Sequence, residues 1–311
     1  MTDAHDEADA DGHASRSRSE TPLRPPPEER TPRELLSFGV INLDKPPGPS
    51  AHQVSAWVRD LADVRRAAHA GTLDPTVTGC LPVLTGDATR IARALLGPKE
   101  YVAVLELHGR APEDLERVLG AFEGPVLQRP PRKSAVDRSL RVRQVDDLTV
   151  LESEPRRLLL RIECESGTYV RKLCHDAGLA LGTGANMGDL RRTAATPFDD
   201  TDLVTLHDLT DALAFHDEGV PESLYEVVDP AERALASLPA VTIASSAARE
   251  VAEGAPVYAP GVLDADDGVD PETAPLVACY TTDGSAVCLG RLVGRPAADN
   301  GTVVDLERVL V

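Results

Sequence analysis

The mostly apolar run Tyr101-Val-Ala-Val-Leu-Glu-Leu107 alternates like a strand, the period-two pattern with one buried face. Phe38 to Leu43 and Leu158 to Cys164 read as further strands. The run Lys45-Pro46-Pro47-Gly48-Pro49 breaks the first of these, and Ser50 is placed to cap a helix that continues to about Leu61. Short helices are expected over Ala88–Leu96, Pro112–Phe122 and Leu203–Leu213, and Gly167-Thr168-Tyr169 turns into another that ends near Leu181. From Leu238 onward, short apolar runs are separated by Gly, Pro and Asp: Ala240–Ile243, Pro256–Tyr258, Leu276–Tyr280, Ala286–Val293 and Thr302–Leu306. That spacing predicts a small β-barrel or sandwich. No internal repeat is visible.

The 311 residues suggest two domains. Residues 1–34, rich in Asp, Ala, Ser, Arg and Pro, read as a disordered acidic tail. The stretch 199–235 carries 11 acids against the single base Arg233 and reads as a connector. With 42% hydrophobic and only 3% aromatic residues, the core must rest on Val, Leu, Ala and Ile. No apolar run is long enough for a membrane span, and the acidic N-terminus lacks the apolar region of a secretory signal. The five cysteines form no C-x-x-C pair, which fits reduced thiols in a cytoplasmic protein and offers no zinc site.

A net charge of −19 argues at first against a nucleic-acid partner, but its distribution reverses the argument. Residues 38–198 hold 20 acids and 22 bases, whereas residues 199–311 hold 22 acids and 5 bases. The middle of the chain is therefore spared. Four lysines against 28 arginines, beside so large an acid excess, read as adaptation to high cytoplasmic salt, where charge repulsion is screened.

Within this spared middle lies Ala68-His-Ala-Gly-Thr-Leu-Asp-Pro75. Glycine permits positive φ and proline fixes φ without an N–H, so Asp74 sits in a bent, rigid backbone between an apolar residue and a proline. A held carboxylate can serve as nucleophile, general base or metal ligand, although Asp before Pro is also common in plain turns.

Several separated motifs then occur in one order. They are Phe38-Gly-Val-Ile-Asn-Leu-Asp-Lys-Pro-Pro-Gly-Pro49, His69-Ala-Gly-Thr-Leu-Asp-Pro75 with Gly79-Cys-Leu-Pro82 and Gly86-Asp-Ala-Thr89, Lys99-Glu-Tyr101, and Ser166-Gly-Thr-Tyr-Val-Arg171 with Leu190-Arg-Arg192. Together they resemble the TruB-type pseudouridine synthases. Gln128-Arg-Pro-Pro-Arg-Lys-Ser-Ala-Val136 brings the chain closest to the archaeal and eukaryotic dyskerin-like branch, in a haloarchaeal version. Gly254-Ala-Pro-Val-Tyr-Ala-Pro-Gly261 and Gly284 to Gly290 resemble the PUA domain, a small RNA-binding pseudo-barrel. The resemblance covers residues 38–311 and departs from the family at Ala68, Ser50-Ala51-His52, Asn186 and Thr196-Pro197.

The resemblance implies an α+β fold: a mixed, largely antiparallel sheet flanked by helices as a catalytic domain over 35–225, then a PUA barrel over 226–311. Part of the N-terminal extension is expected to pack against that barrel. It implies an isomerase converting uridine to pseudouridine in tRNA, in rRNA under a guide, or in both, as the catalytic subunit of an H/ACA ribonucleoprotein. The partners would be tRNA, rRNA, H/ACA guide RNA and three small proteins of that particle, with no membrane. The reaction is redox-neutral and needs no energy input, so no cofactor or metal is implied.

Carried over from the family, Asp74 is the catalytic carboxylate, attacking the sugar carbon or removing the C2′ proton. Arg171 is its partner cation, although a solvated arginine at a helix start is the plainer reading of that position. Tyr101 stacks on the flipped base, His69 supports RNA access, and Leu190 packs under the base. On spacing alone each of these three is an ordinary structural residue. Lys45 braces the catalytic loop. Arg129, Arg132, Lys133, Arg138, Arg141 and Arg143, opposed by Asp137 alone, suit phosphate contacts, as do Arg191 and Arg192. Two other readings stand beside this one: a PUA-containing RNA scaffold without catalysis, and a generic acidic hydrolase using Asp74. The first has no need of Asp74, Tyr101 and Arg171 together. The second lacks another catalytic carboxylate or a Ser/His partner.

Overall fold

The computed structural model describes residues 23–130, 137, 139–273 and 276–311. Ten of their strands form one sheet: β1 (Phe38–Lys45), β2 (Ala67–His69), β3 (Thr78–Gly86), β4 (Lys99–Leu107), β5 (Gly124–Gln128), β6 (Arg141–Glu154), β7 (Arg157–Cys164), β8 (Ala185–Ala195), β9 (Phe198–Asp199) and β10 (Asp229–Pro230). The order is β10-β1-β3-β8-β4-β7-β6-β5, with β2 on β3 and β9 on β8. All pairs are antiparallel except β3 with β8. That one parallel contact lies at the centre, beside the loop that carries Asp74. A second sheet holds β11 (Ala240–Ile243), β12 (Val257–Tyr258), β13 (Val262–Ala265), β14 (Leu276–Tyr280), β15 (Ala286–Leu292) and β16 (Thr302–Val309), in the order β12-β16-β15-β14-β11-β13. Its two outer strands are joined directly through Ala259–Gly261, which turns the sheet back on itself. This is the mixed sheet with a C-terminal barrel-like unit that the resemblance implies.

The helices are α1 (Pro32–Ser37), α2 (Ala51–Leu61), α3 (Leu115–Gly120), α4 (Val170–Ala180), α5 (Leu206–Asp217), α6 (Glu222–Val227) and α7 (Ser245–Ala252). Ser50 caps α2 as expected, its side chain accepting from the Gln53 N–H. Val54 and Val58 on one face of α2 are buried in the main core with Leu43, Leu81 and Leu105. Among the described residues no helix is long and apolar enough to cross a membrane.

Several elements differ from the sequence reading. The Pro112–Phe122 helix shortens to α3, and the one expected from Ala88 is a 3-10 helix over Asp87–Leu95. The acidic connector is not featureless: it contains α5 and α6, because Leu209, Ala212 and Leu224 supply a buried stripe beneath the charged surface. The basic positions Arg141 and Arg143 belong to the long strand β6 rather than to a loop.

The disordered tail assigned to residues 1–34 also needs correction, because residues 23–34 are packed; residues 1–22 lie outside the described residues. Leu23 packs on the core of the second sheet. Arg24 donates from Nε to the Leu310 carbonyl at 2.9 Å. Thr31 and Glu34 form a capping box that starts α1. Arg30, buried at 3% exposure, makes a two-pronged bond to Glu232 at 2.7 Å on each arm. Glu232 Oε1 also accepts from the Ala286 N–H of β15 at 3.0 Å. A short polar segment thus gains from ion pairing and capping what it lacks in apolar area, and it ties the first sheet to the second. An apolar cluster crosses the same junction, with Phe38, Leu84 and Ile91 on one side and Ala278, Leu289 and Leu310 on the other.

Replacing Arg30 with Ala leaves Glu232 buried without its cation, so unfolding in urea should show a loss of about 3–5 kcal/mol. A change near zero would mean that the N-terminal segment contributes nothing to stability.

Candidate active site

The loop from Ala70 to Val77 joins β2 to β3, and its apolar residues hold it down. Leu73 and Val77 are 4% and 2% exposed, while the Asp74 side chain between them keeps half its surface open. The Val77 N–H donates to the Asp74 carbonyl at 3.0 Å and the Gly48 N–H to the Pro75 carbonyl at 2.8 Å. Gly71 has φ +75°, and a Cβ there would lie 3.1 Å from Arg192 Nη1. A side chain at that position would be strained and would press on the group that fixes the loop.

Two buried cations grip this loop at its ends. Arg192, 1% exposed, donates from Nη1 to the Gly71 carbonyl at 3.1 Å, from Nη2 to Ala70 at 3.4 Å and from Nε to Cys80 at 2.7 Å. Lys45 Nζ donates to the carbonyls of Pro75 at 3.0 Å, Val77 at 2.8 Å and Pro46 at 2.9 Å, which uses all three of its N–H bonds. Burial pulls the Lys45 ammonium below the usual lysine value. Neither cation meets a carboxylate within ion-pairing distance among the described residues. The sequence reading anticipates bracing for Lys45. For Arg192 it anticipates a phosphate contact, and its burial corrects that expectation.

Asp74 forms an ion pair with Arg171, in the first turn of α4. A cation at that end of a helix opposes the macrodipole, so α4 gains nothing from Arg171. The pair is also half exposed, at 55% and 50%, where such contacts contribute roughly 0–1 kcal/mol. Its value lies in orientation: the carboxylate is held by a cation and aimed by a loop tied down at both ends.

The pair lines a cleft of about 1380 Å³, together with Tyr101, Arg129, Tyr169, His175, Met187 and Leu190. That is larger than the roughly 300–1,000 Å³ of ordinary small-molecule sites, which suits a segment of polymer. Tyr101 is 8% exposed and pairs across the β4–β8 ladder with Arg192. Burial raises the Tyr101 phenol above its usual value, so the ring stays neutral. Leu190 is 9% exposed on the same floor. Lys99, to which the sequence reading gives no role, also lines the cleft. Its Nζ donates to the Leu95 and Gly97 carbonyls at 2.9 and 2.8 Å, and burial brings it to about 8.

His69 stands behind the loop rather than in the cleft wall. Its Nδ1 lies 3.0 Å from Ser55 Oγ and its Nε2 lies 3.4 Å from Thr72 Oγ1. The Ser55 hydroxyl lies 3.0 Å from the Ala51 carbonyl as well, so it links His69 to the first turn of α2. Burial, with His52 and Arg192 nearby, lowers His69 to about 4, so it is neutral at physiological pH.

The basic stretch is divided. Arg129 is exposed in the cleft wall. Arg141 donates to the Asp137 carbonyl at 3.1 Å, and Arg143 pairs with Glu165 at 2.7 Å, which reduces its free charge. Arg132, Lys133 and Arg138 lie outside the described residues. Arg191 pairs with Asp44 at 3.0 Å. Among the described residues no cluster of His, Cys, Asp and Glu could hold a metal ion.

Comparison with known proteins agrees with this geometry. Four family models match: the DKCLD domain at residues 8–55, the N-terminal domain of TruB family pseudouridylate synthase at 59–114, the tRNA pseudouridylate synthase B C-terminal domain at 171–236, and the PUA domain at 239–294. The probable tRNA pseudouridine synthase B of Halobacterium salinarum is 66% identical over 93% of this chain and 99% of its own length. That of Methanopyrus kandleri is 46% identical over 92% and 86%. Among solved structures, a chain of a Cbf5-Nop10-Gar1 complex superposes with TM-score 0.87 at 43% identity, covering 96% of this chain and 92% of that one. The chain belongs to the TruB family of pseudouridylate synthases, and the salt-loving relative accords with its acid excess.

If Lys45 fixes the loop, Lys45→Met leaves three carbonyls without their donor. The protein should lose about 1–3 kcal/mol and form pseudouridine more slowly, with RNA affinity little changed. Thermal unfolding beside single-turnover kinetics measures both effects.

Proposed function

We propose that this TruB-family enzyme isomerises uridine in the T-loop of tRNA and at guide-directed positions of rRNA, as the catalytic subunit of an H/ACA ribonucleoprotein, with Asp74 as its catalytic residue. The observation that carries the reading is the Asp74–Arg171 pair on a braced loop, opening into a cleft floored by Tyr101 and Leu190. Similarity to archaeal tRNA pseudouridine synthase B proteins supports the tRNA substrate. Similarity to an H/ACA ribonucleoprotein bound to a substrate RNA, at 41% identity and TM-score 0.86 over 96% of this chain and 92% of that one, supports the guided one.

The reaction breaks the N1–C1′ bond, turns the base and joins C5 to C1′. The target base must first leave its stack, at a cost of a few kcal/mol. A neutral Tyr101 ring offers the face on which it stacks, and Leu190 the apolar floor beneath. The Asp74 carboxylate either attacks C1′ or takes the C2′ proton. In both routes Arg171 keeps its charge compensated and its oxygens turned toward the sugar. Neutral His69 holds Thr72 of the catalytic loop from behind and so supports RNA access to the cleft indirectly. Exposed Arg129 meets phosphate, and Arg132, Lys133, Arg138, Arg141 and Arg143 are the further basic residues of the same stretch proposed to do so. On this reading residues 35–225 form the catalytic unit and 226–311 the PUA unit, which grips guide RNA. The acidic loop Asp264–Asp270 faces away from that RNA. The five reduced, buried cysteines suit work in the cytoplasm.

Asp74→Asn, which keeps size and folding, should lower conversion by about 10²-fold or more. Mapping pseudouridine in tRNA and rRNA from cells carrying it checks the point, and unchanged modification at every site would refute the enzyme reading.

Arg171→Ala should slow turnover by about 10²-fold, the scale of losing one preorganised electrostatic contact, with a smaller effect on RNA affinity. Equal losses in binding and in turnover would mean that Arg171 does not orient the carboxylate.

A further inference from the structure

We infer that Gln128 is a positioning residue for this reaction: it fixes the backbone of Tyr169 so that Arg171, two residues further on, meets Asp74. The inference rests on the function proposed above. Gln128 ends β5, opposite Arg141, and is 2% exposed. Its Oε1 accepts from the Tyr169 N–H at 2.9 Å and its Nε2 donates to the Tyr169 carbonyl at 3.3 Å. One side chain thus holds both polar groups of a residue 41 positions away, as a neighbouring strand would.

Tyr169 is the residue from which α4 starts, and it provides no side-chain cap for that helix. The N–H groups at a helix start have no partner within the helix, and here Gln128 supplies one from another element. Arg143 of β6 adds a second tie from the same hairpin to the same turn. It donates from Nε to the Gly167 carbonyl at 3.3 Å and pairs with Glu165 at 2.7 Å. The turn that launches α4, and with it Arg171, is therefore set by the β5–β6 hairpin.

Two other roles for Gln128 fit less well. It is not part of the cleft wall, so it does not touch RNA there. As a space-filler, an amide costs desolvation that Leu or Met at the same place would avoid, so its two bonds account for its presence. Its neighbour Arg129 is exposed in the cleft, so one rigid segment carries both a phosphate-binding cation and the support for the catalytic ion pair.

A double-mutant cycle tests this. Wild type, Gln128→Met, Arg171→Ala and the double variant are compared in single-turnover conversion at saturating enzyme, with RNA affinity and thermal unfolding measured alongside. Gln128→Met should keep its RNA affinity, remain folded at the assay temperature and convert about tenfold more slowly, a loss on the scale of one hydrogen-bonded contact. Combined with Arg171→Ala it should add no further loss, because both changes break the same pair. Gln128→Glu should recover part of the rate, because burial favours the protonated carboxyl, which accepts from the Tyr169 N–H and donates to its carbonyl as the amide does. If Gln128→Met does not fold, the cycle is run with Gln128→Glu, which should show the same non-additivity at smaller amplitude. Losses that multiply in the double variant, a rate equal to wild type, or a fall in RNA affinity that accounts for the whole effect would each overturn the inference. No conversion by the wild-type protein would instead overturn the function on which it rests.

Discussion

The site depends on two buried cations that bind no carboxylate. Lys45 and Arg192 take main-chain carbonyls as their solvation shell, and those carbonyls belong to the two ends of the loop carrying Asp74. A charge removed from water is expensive unless its donors are filled. Here six hydrogen bonds occupy all three donors of Lys45 and three of the five of Arg192, and the need to keep those bonds holds the carbonyls in place. The loop is rigid because moving it would strand a charge. An ordinary apolar contact on the same loop would tolerate a small shift; these two clamps do not. Asp74 can therefore remain half exposed to substrate while its backbone is fixed from behind, and the weak surface pair with Arg171 need only orient it.

The parts of this arrangement differ in how well they can be read from the sequence. Asp74 is legible because its turn is written in local chemistry: a glycine with positive φ, then a proline. Strand β4 is legible because its alternation is regular, and α2 because Ser50 caps it. The flanking strand β8 is not legible. Its pairing with β4 shifts register at Glu100/Tyr101 and again at Ala103/Leu105, and each shift breaks the period-two signal. The role of Arg192 is hidden for a different reason. Its partners are backbone carbonyls of residues over 110 positions away, and a carbonyl has no side-chain identity to read. The one available hint is parity, since Arg192 lies two residues after Leu190 and so shares its inward face. The packed segment 23–34 escapes a compositional reading because its anchors are a single arginine and a capping box rather than apolar mass.

The charge distribution follows the same logic at a larger scale. The acid excess lies in residues 199–311, and the cleft wall carries the cations Arg129, Arg171 and Lys172. A polyanion near this surface meets repulsion from the acidic part and attraction at the cleft. In concentrated salt the long-range part of both fields is screened to a few ångströms. Selectivity for RNA then depends on contacts made inside the cleft, where Arg129 and Arg171 are close enough to act unscreened.

The contact between Arg24 and the Leu310 carbonyl bears on how the chain is made. Its two partners are 286 residues apart. During synthesis the N-terminal segment emerges early and can meet Phe38 and Asp87 first, then Glu232, but its contact with Leu310 comes later. The apolar cluster that closes around Phe38 shares this dependence, since Leu310 is one of its members. The first sheet can assemble from residues 38–230 as they are translated, but the Arg24–Leu310 clasp waits for residues 286 positions further along the chain.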